Sequence, residues 1–148
     1  MPKQIKRASK IEVSMVKDSS MPVFQANSPS EIAQLPRIKK LSHCDREQFI
    51  CLHLNARNEV IGYEIVAIGT LDATIVVPRE VFKGAILTNA HAIIGVHNHP
   101  SGNVEPSEAD RKLTRDLKTS GELLGIPLHD HIIVTPGGYF SFKNQQLL

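Results

Sequence analysis

The sequence predicts one α/β domain in which a mixed β-sheet is sandwiched by helices. Short β-rich runs alternate with two segments of helical periodicity. Between those segments, AIIGVH is almost wholly apolar, as a strand covered on both faces must be. The length of 148 residues suits a single core and is short for two.

The elements follow in chain order. Ile11, Val13 and Met15 alternate weakly, which predicts a short edge strand inside a basic arm over residues 1–27; such an edge could pair with another chain, though the sequence fixes no oligomeric state. Residues 28–148 form the domain proper. There Ser28 or Ser30 caps a short helix over SEIAQLPRI, limited by Pro36, and the core is expected to begin near Leu41. EQFICLHLN and VIGYEIVAIG, joined through the turn ARNE, read as a hairpin, with ATIVV as a third strand. Pro78 suits the first turn of a helix whose apolar face is Val81, Phe82, Ala85, Ile86 and Ala90. AIIGVH follows as the central strand. From Ser107 a longer helix turns Ala109, Leu113, Leu117 and Leu124 to one side and stops at Gly125. HIIVT and YFSF, joined by PGG, close the domain as a hairpin.

Composition narrows the function. No apolar run could cross a bilayer and no apolar stretch of signal-peptide length follows the basic start, so a cytoplasmic protein without a membrane partner is expected. Cys44 and Cys51 lack C-x-x-C spacing and read as thiols of a reducing compartment. Charge is uneven: residues 1–40 carry eight Lys/Arg against three acids, and the remainder nine against twelve. A basic arm can steer a chain weakly toward DNA or another acidic partner, but no aromatic residues interleave with these charges, which favours a solvated leader.

The stretch GVHNHPSGNVEPSEAD carries the chemistry. On a strand His97 and His99 project to the same side while Asn98 points away. Pro100, Gly102 and Pro106 punctuate a returning loop, after which Ser107 stands at a helix N-cap with Asp110 in the first turn. Taken singly, Ser107 and Asp110 read as a capping pair and the histidines as hydrogen-bonded core residues. Together, two imidazoles and a carboxylate are the protein ligands of a catalytic zinc centre whose fourth position holds water. Zinc lowers the pKa of such a water to about 7 and polarises a carbonyl.

The pattern His97-Asn98-His99, seven residues, then Ser107-Glu108-Ala109-Asp110 resembles the JAMM metalloprotease motif. PREVF, NAHAIIGVHNHPSG, PSEAD, LLGI and DHIIV extend the likeness to the RadC family of bacterial JAMM-domain (MPN-type) proteins over about residues 28–148. The resemblance implies a JAMM, cytidine deaminase-like α/β fold and one zinc per chain held by His97, His99 and Asp110. It also implies an oxyanion stabilised by Ser107, and an upstream glutamate as general base, which Glu47 matches better than Glu64. The implied activity is metal-assisted cleavage of a peptide or isopeptide bond in a peptide or protein substrate. The alternative is a DNA-associated repair or recombination accessory that uses the domain for binding. Longer RadC proteins carry a helix-hairpin-helix region where this chain has the basic arm, which weakens that alternative.

Other residues rank lower. His131, in His129-Asp130-His131, is expected to support or pack, and Asn98 and Ser101 to hold the loop. His43, His53 and His91 stand alone. The HNH letters are consecutive in a strand, unlike the separated residues of HNH nucleases; P-C-x-x-C and H-E-x-x-H are absent, which excludes zinc deaminases and thermolysin-like sites.

Overall fold

The computed structural model describes residues 23–69 and 75–148, so the alternating residues 11, 13 and 15 and most of the basic arm lie outside the described residues. The chain runs β1 (Phe24–Gln25), α1 (Pro29–Gln34), α2 (Pro36–Ser42), β2 (Gln48–Leu54), β3 (Glu59–Ile68), α3 (Pro78–Leu87), β4 (Ala92–Asn98), α4 (Glu108–Leu124), β5 (Leu128–Thr135) and β6 (Gly138–Ser141). The strands form one sheet in the order β1-β3-β2-β4-β5-β6, antiparallel throughout except for the parallel pair β4 and β5. This is the expected mixed sheet with helices on both faces.

Strand alternation divides the core in two. Ile50, Leu52, Leu54, Ile94 and Val96 pack with Ile32, Ile38 and Leu41 of α1 and α2. Phe49, Cys51 and Ile93 pack on the other face with Val81, Phe82 and Ala85 of α3 and Leu117 of α4. At about 25 cal/mol per Å² of apolar surface, burial on both faces explains why β4 carries no polar residue before His97. The core therefore begins before Leu41, since Ile32 and Ile38 are already buried.

Three further expectations are corrected. Ser28 does cap α1, its Oγ accepting the Glu31 N–H at 3.3 Å. Pro36, however, does not merely limit that helix: it opens α2, because a fixed φ and a missing N–H are harmless at a first helical position. Within ATIVV, Ile75–Val77 lie outside any strand, and residues 73 and 74 are outside the described residues. Val77, extended at φ −118° and ψ 141°, serves as the N-cap of α3. The apolar faces also shift. Ile86 and Leu124 are exposed and Ala109 faces solvent, whereas Thr114, Leu117 and Gly121 are the buried stripe of α4.

His53 illustrates the cost of burying a titrating ring. It is 2% exposed; its Nδ1 meets Thr88 Oγ at 3.0 Å, and its Nε2 has no hydrogen-bond partner among the described residues. Burial lowers its pKa to about 4. The unfolded ring takes a proton near pH 6.5 and the folded one only near 4, so this contribution is complete above 6.5 and falls as pH drops. Denaturant titrations should show a loss on the order of 2 kcal/mol between pH 6.5 and 4.5 from this group, at about 1.36 kcal/mol per pH unit. His53→Gln should flatten that slope, and an unchanged slope would contradict the assignment.

Candidate metal centre

β4 aims the site. Its register sets His97 beside Phe49 on β2 and Ile133 on β5, on the face covered by α3 and α4. His99 prolongs the ladder by one bond, its N–H donating to Val134 O at 3.2 Å, and so points the same way. Gly102, at φ +83°, makes a turn that a Cβ would strain, closed by its N–H on His99 O at 3.0 Å. The loop then returns the chain to α4.

At the start of α4 the two readings of Ser107 and Asp110 coincide. Ser107 Oγ accepts the Asp110 N–H at 3.1 Å, and Asp110 Oδ2 accepts the Ser107 N–H at 2.8 Å, a reciprocal capping box. That box holds the carboxylate at the histidines: Asp110 Oδ1 lies 3.2 Å from His97 Nε2, and Oδ2 lies 3.2 Å from His99 Nε2. The two Nε2 atoms are 3.0 Å apart, and the three groups can each offer a ligand atom within 4.8 Å of the others.

The outer ring nitrogens fix which protons are where. His99 Nδ1–H donates to Asn103 O at 2.7 Å, since a carbonyl only accepts. Thr114 Oγ–H donates to Asp110 O at 2.8 Å, so the same oxygen accepts from His131 Nδ1–H at 2.7 Å. Burial holds His131 well below its ordinary pKa; its neutral Nε2 therefore accepts from His97 Nδ1–H at 2.8 Å. The inner Nε2 atoms of both rings are left turned toward the carboxylate and toward each other. Such an arrangement is repulsive without a proton or a cation between them, and it is the donor set zinc prefers.

Electrostatics agree. Burial pushes the Asp110 carboxyl up, but its contacts with His97, His99 and the Ser107 N–H outweigh that and hold it well below the usual carboxylate range. Burial lowers His99, but Asp110, the Asn103 carbonyl and the charge of Glu47 together raise it. Glu47 therefore lies near enough for its charge to reach His99. It precedes Gln48, and alternation turns it to the face shared by Phe49, His97 and His99. Glu64 sits elsewhere, paired with Cys51 and packed against Gly84 of α3, with a buried Oε2 that has no hydrogen-bond partner among the described residues.

The remaining residues separate as well. His131 supports His97, as expected, and stacks on Phe142 at 4.9 Å between ring centres. Ser101 Oγ accepts the Asn103 N–H at 3.3 Å within the loop. Asn98 does not hold the loop: its side chain reaches the segment before β2 instead. Thr114 and the Asn103 carbonyl escaped sequence reasoning, because a threonine on a helix and a backbone oxygen carry no pattern of their own. Thr114→Val should weaken binding of a divalent metal by 10- to 100-fold in competition with a chromogenic chelator, whereas Thr114→Ser should not. Equal affinity in the two variants would remove the relay.

Among the described residues no helix is long and apolar enough to cross a membrane. Cys44 and Cys51 are both unbridged thiols. The family model described as RadC-like JAB domain matches residues 26–147. A UPF0758 protein of Symbiobacterium thermophilum is 50% identical over 109 residues, covering 74% of this chain and 47% of the relative. One of Chlorobaculum tepidum is 48% identical over 103 residues, 70% of this chain and 46% of the relative. One of Rubrobacter xylanophilus is 41% identical over 136 residues, 92% of this chain and 58% of the relative. The chain spans about half the length of the curated relatives it matches.

Proposed function

This chain belongs to the RadC-like JAB domain family, and from that premise we propose that it is a zinc-dependent hydrolase cleaving a peptide or isopeptide bond. The observation that carries the reading is the convergence of two imidazole Nε2 atoms on one carboxylate, with each outer nitrogen already committed to a hydrogen bond. Zinc held by His97, His99 and Asp110 would acidify a water and polarise a carbonyl oxygen.

The chain's own groups supply the rest. Glu47 would take the proton released at the centre and return it to the departing amine. Ser107 Oγ already accepts from Asp110 N–H, which leaves its own proton to donate to the developing oxyanion. His97 and His99, 2% and 8% exposed, keep the centre in a medium where such charges interact strongly.

The test uses zinc-loaded protein with internally quenched peptides and a lysine ε-linked isopeptide. Cleavage should stop on chelation, return with zinc, and fall at least 100-fold in Glu47→Gln while the metal stays bound. Wild type and Glu47→Gln indistinguishable on every substrate would overturn the reading.

A further inference from the structure

The middle residue of His-Asn-His has no part in that chemistry. Asn98 is fully buried, and alternation turns its side chain to the α1/α2 face, away from the two histidines. Its amide is spent entirely on the backbone leading into β2. Oδ1 accepts the Gln48 N–H at 2.7 Å, and Nδ2 donates to Arg46 O at 2.9 Å and to Cys44 O at 3.3 Å. These bonds bracket Glu47, taking hold of the residue before it and the residue after it. From the other side, Glu47 O accepts the Gly69 N–H at 2.7 Å.

Backbone pairing with β4 does not reach this far. The register of β2 with β4 ends at Phe49 and His97, so beyond that point the Asn98 side chain takes over from the ladder. We propose that Asn98 is a positioning residue for Glu47, setting its carboxylate relative to His97 and His99. This rests on the reading of Glu47 as the group that moves the proton. One tripeptide at the end of β4 then supplies two ligands on one face of the sheet and, from the opposite face, the clamp on the proton carrier. The backbone on either side of Glu47 is thereby tied to the strand that carries the ligands.

Cobalt(II)-loaded protein gives a test independent of turnover. The measurements are metal content and the pH midpoint of the visible bands, for wild type, Glu47→Gln, Asn98→Ala, Asn98→Ser and the double variant Glu47→Gln/Asn98→Ala. A carboxylate beside the metal disfavours loss of a proton there, so Glu47→Gln should lower the midpoint by about one unit, a tenfold change in acidity. Asn98→Ala should lower it in the same direction with the metal retained, and the double variant should go no lower than Glu47→Gln alone. Asn98→Ser, which keeps a shorter donor and acceptor, should fall between and guards against misfolding of the alanine variant. A merely structural Asn98 would lower the melting temperature in both backgrounds and leave the midpoint at its wild-type value, which would overturn the proposal. An unmoved midpoint in Glu47→Gln overturns it too, by removing the base. Wild type that takes up no metal would instead strike the hydrolase reading itself.

Discussion

Asp110→Asn is expected to preserve the start of α4 and lose the metal, whereas Asp110→Ala loses both. The carboxylate has two tasks: Oδ2 accepts the Ser107 N–H, and the pair of oxygens faces His97 and His99. An asparagine carbonyl can still accept that N–H. Its NH2 group, however, would donate to a histidine lone pair and stand where a cation must go. Zinc should fall from about one per chain to under a tenth in both variants. Only the alanine should add a capping loss of about 1 kcal/mol, read as a lower melting temperature of the metal-free protein. If Asp110→Asn retained zinc, the carboxylate would be a cap and nothing more.

Acid should act on the same residue. Its folded pKa is depressed, so its stabilising contribution is complete above the ordinary carboxylate range and is lost as pH falls below that range toward the folded value. Zinc should leave earlier than this, because His99 is raised and protons compete with the metal for its Nε2. Metal content followed from pH 7.5 to 4.5 should therefore fall before the metal-free fold loses this term.

Gly121→Ala is expected to destabilise the domain by about 3 kcal/mol, although alanine is the better helix former by about 1 kcal/mol. A Cβ at that position would meet Ile126 O at 2.5 Å, with Phe82 Cζ at 3.2 Å and Leu128 N at 3.3 Å behind it. The first is a backbone atom, held by the Ile126 N–H bond to Gly121 O at 2.9 Å and by the left-handed turn at Gly125. It has nowhere to retreat. α4 would have to lift from β5, and α4 carries Asp110 at its other end. Thermal unfolding should drop by roughly 10 °C. Gly138→Ala, with open space around it, should change stability by under about 0.5 kcal/mol. A Gly121→Ala variant as stable as wild type would contradict the packing of α4 on the sheet.

Legibility in the sequence followed physical strength. β2 with β3, β4, and β5 with β6 were readable because alternation, an apolar run and a Gly-rich turn each have one cheap structural solution. α3 and α4 were readable from Pro78, from Ser107 with Asp110, and from Gly125. β1, two residues long, leaves no periodic signal, and α2 hid behind a proline taken as a stop. The buried stripe of α4 was misplaced because Thr114 and Gly121 are not apolar letters: one is buried to hydrogen-bond His131, the other to let β5 approach. The convergence of His97, His99 and Asp110 was legible from spacing alone. What the spacing could not supply was the set of partners on the outer nitrogens, or the reach of Asn98 across to β2, because tertiary contacts over 50 residues leave no local pattern.

The most direct test of the central claim is zinc content by plasma mass spectrometry on tag-free protein, wild type beside His97→Ala and His99→Ala. About one zinc per chain is expected in wild type and under a tenth in each variant, with the fold retained by circular dichroism. Wild type without zinc after reconstitution, or a His97→Ala variant that keeps it, would contradict a metal centre at His97, His99 and Asp110.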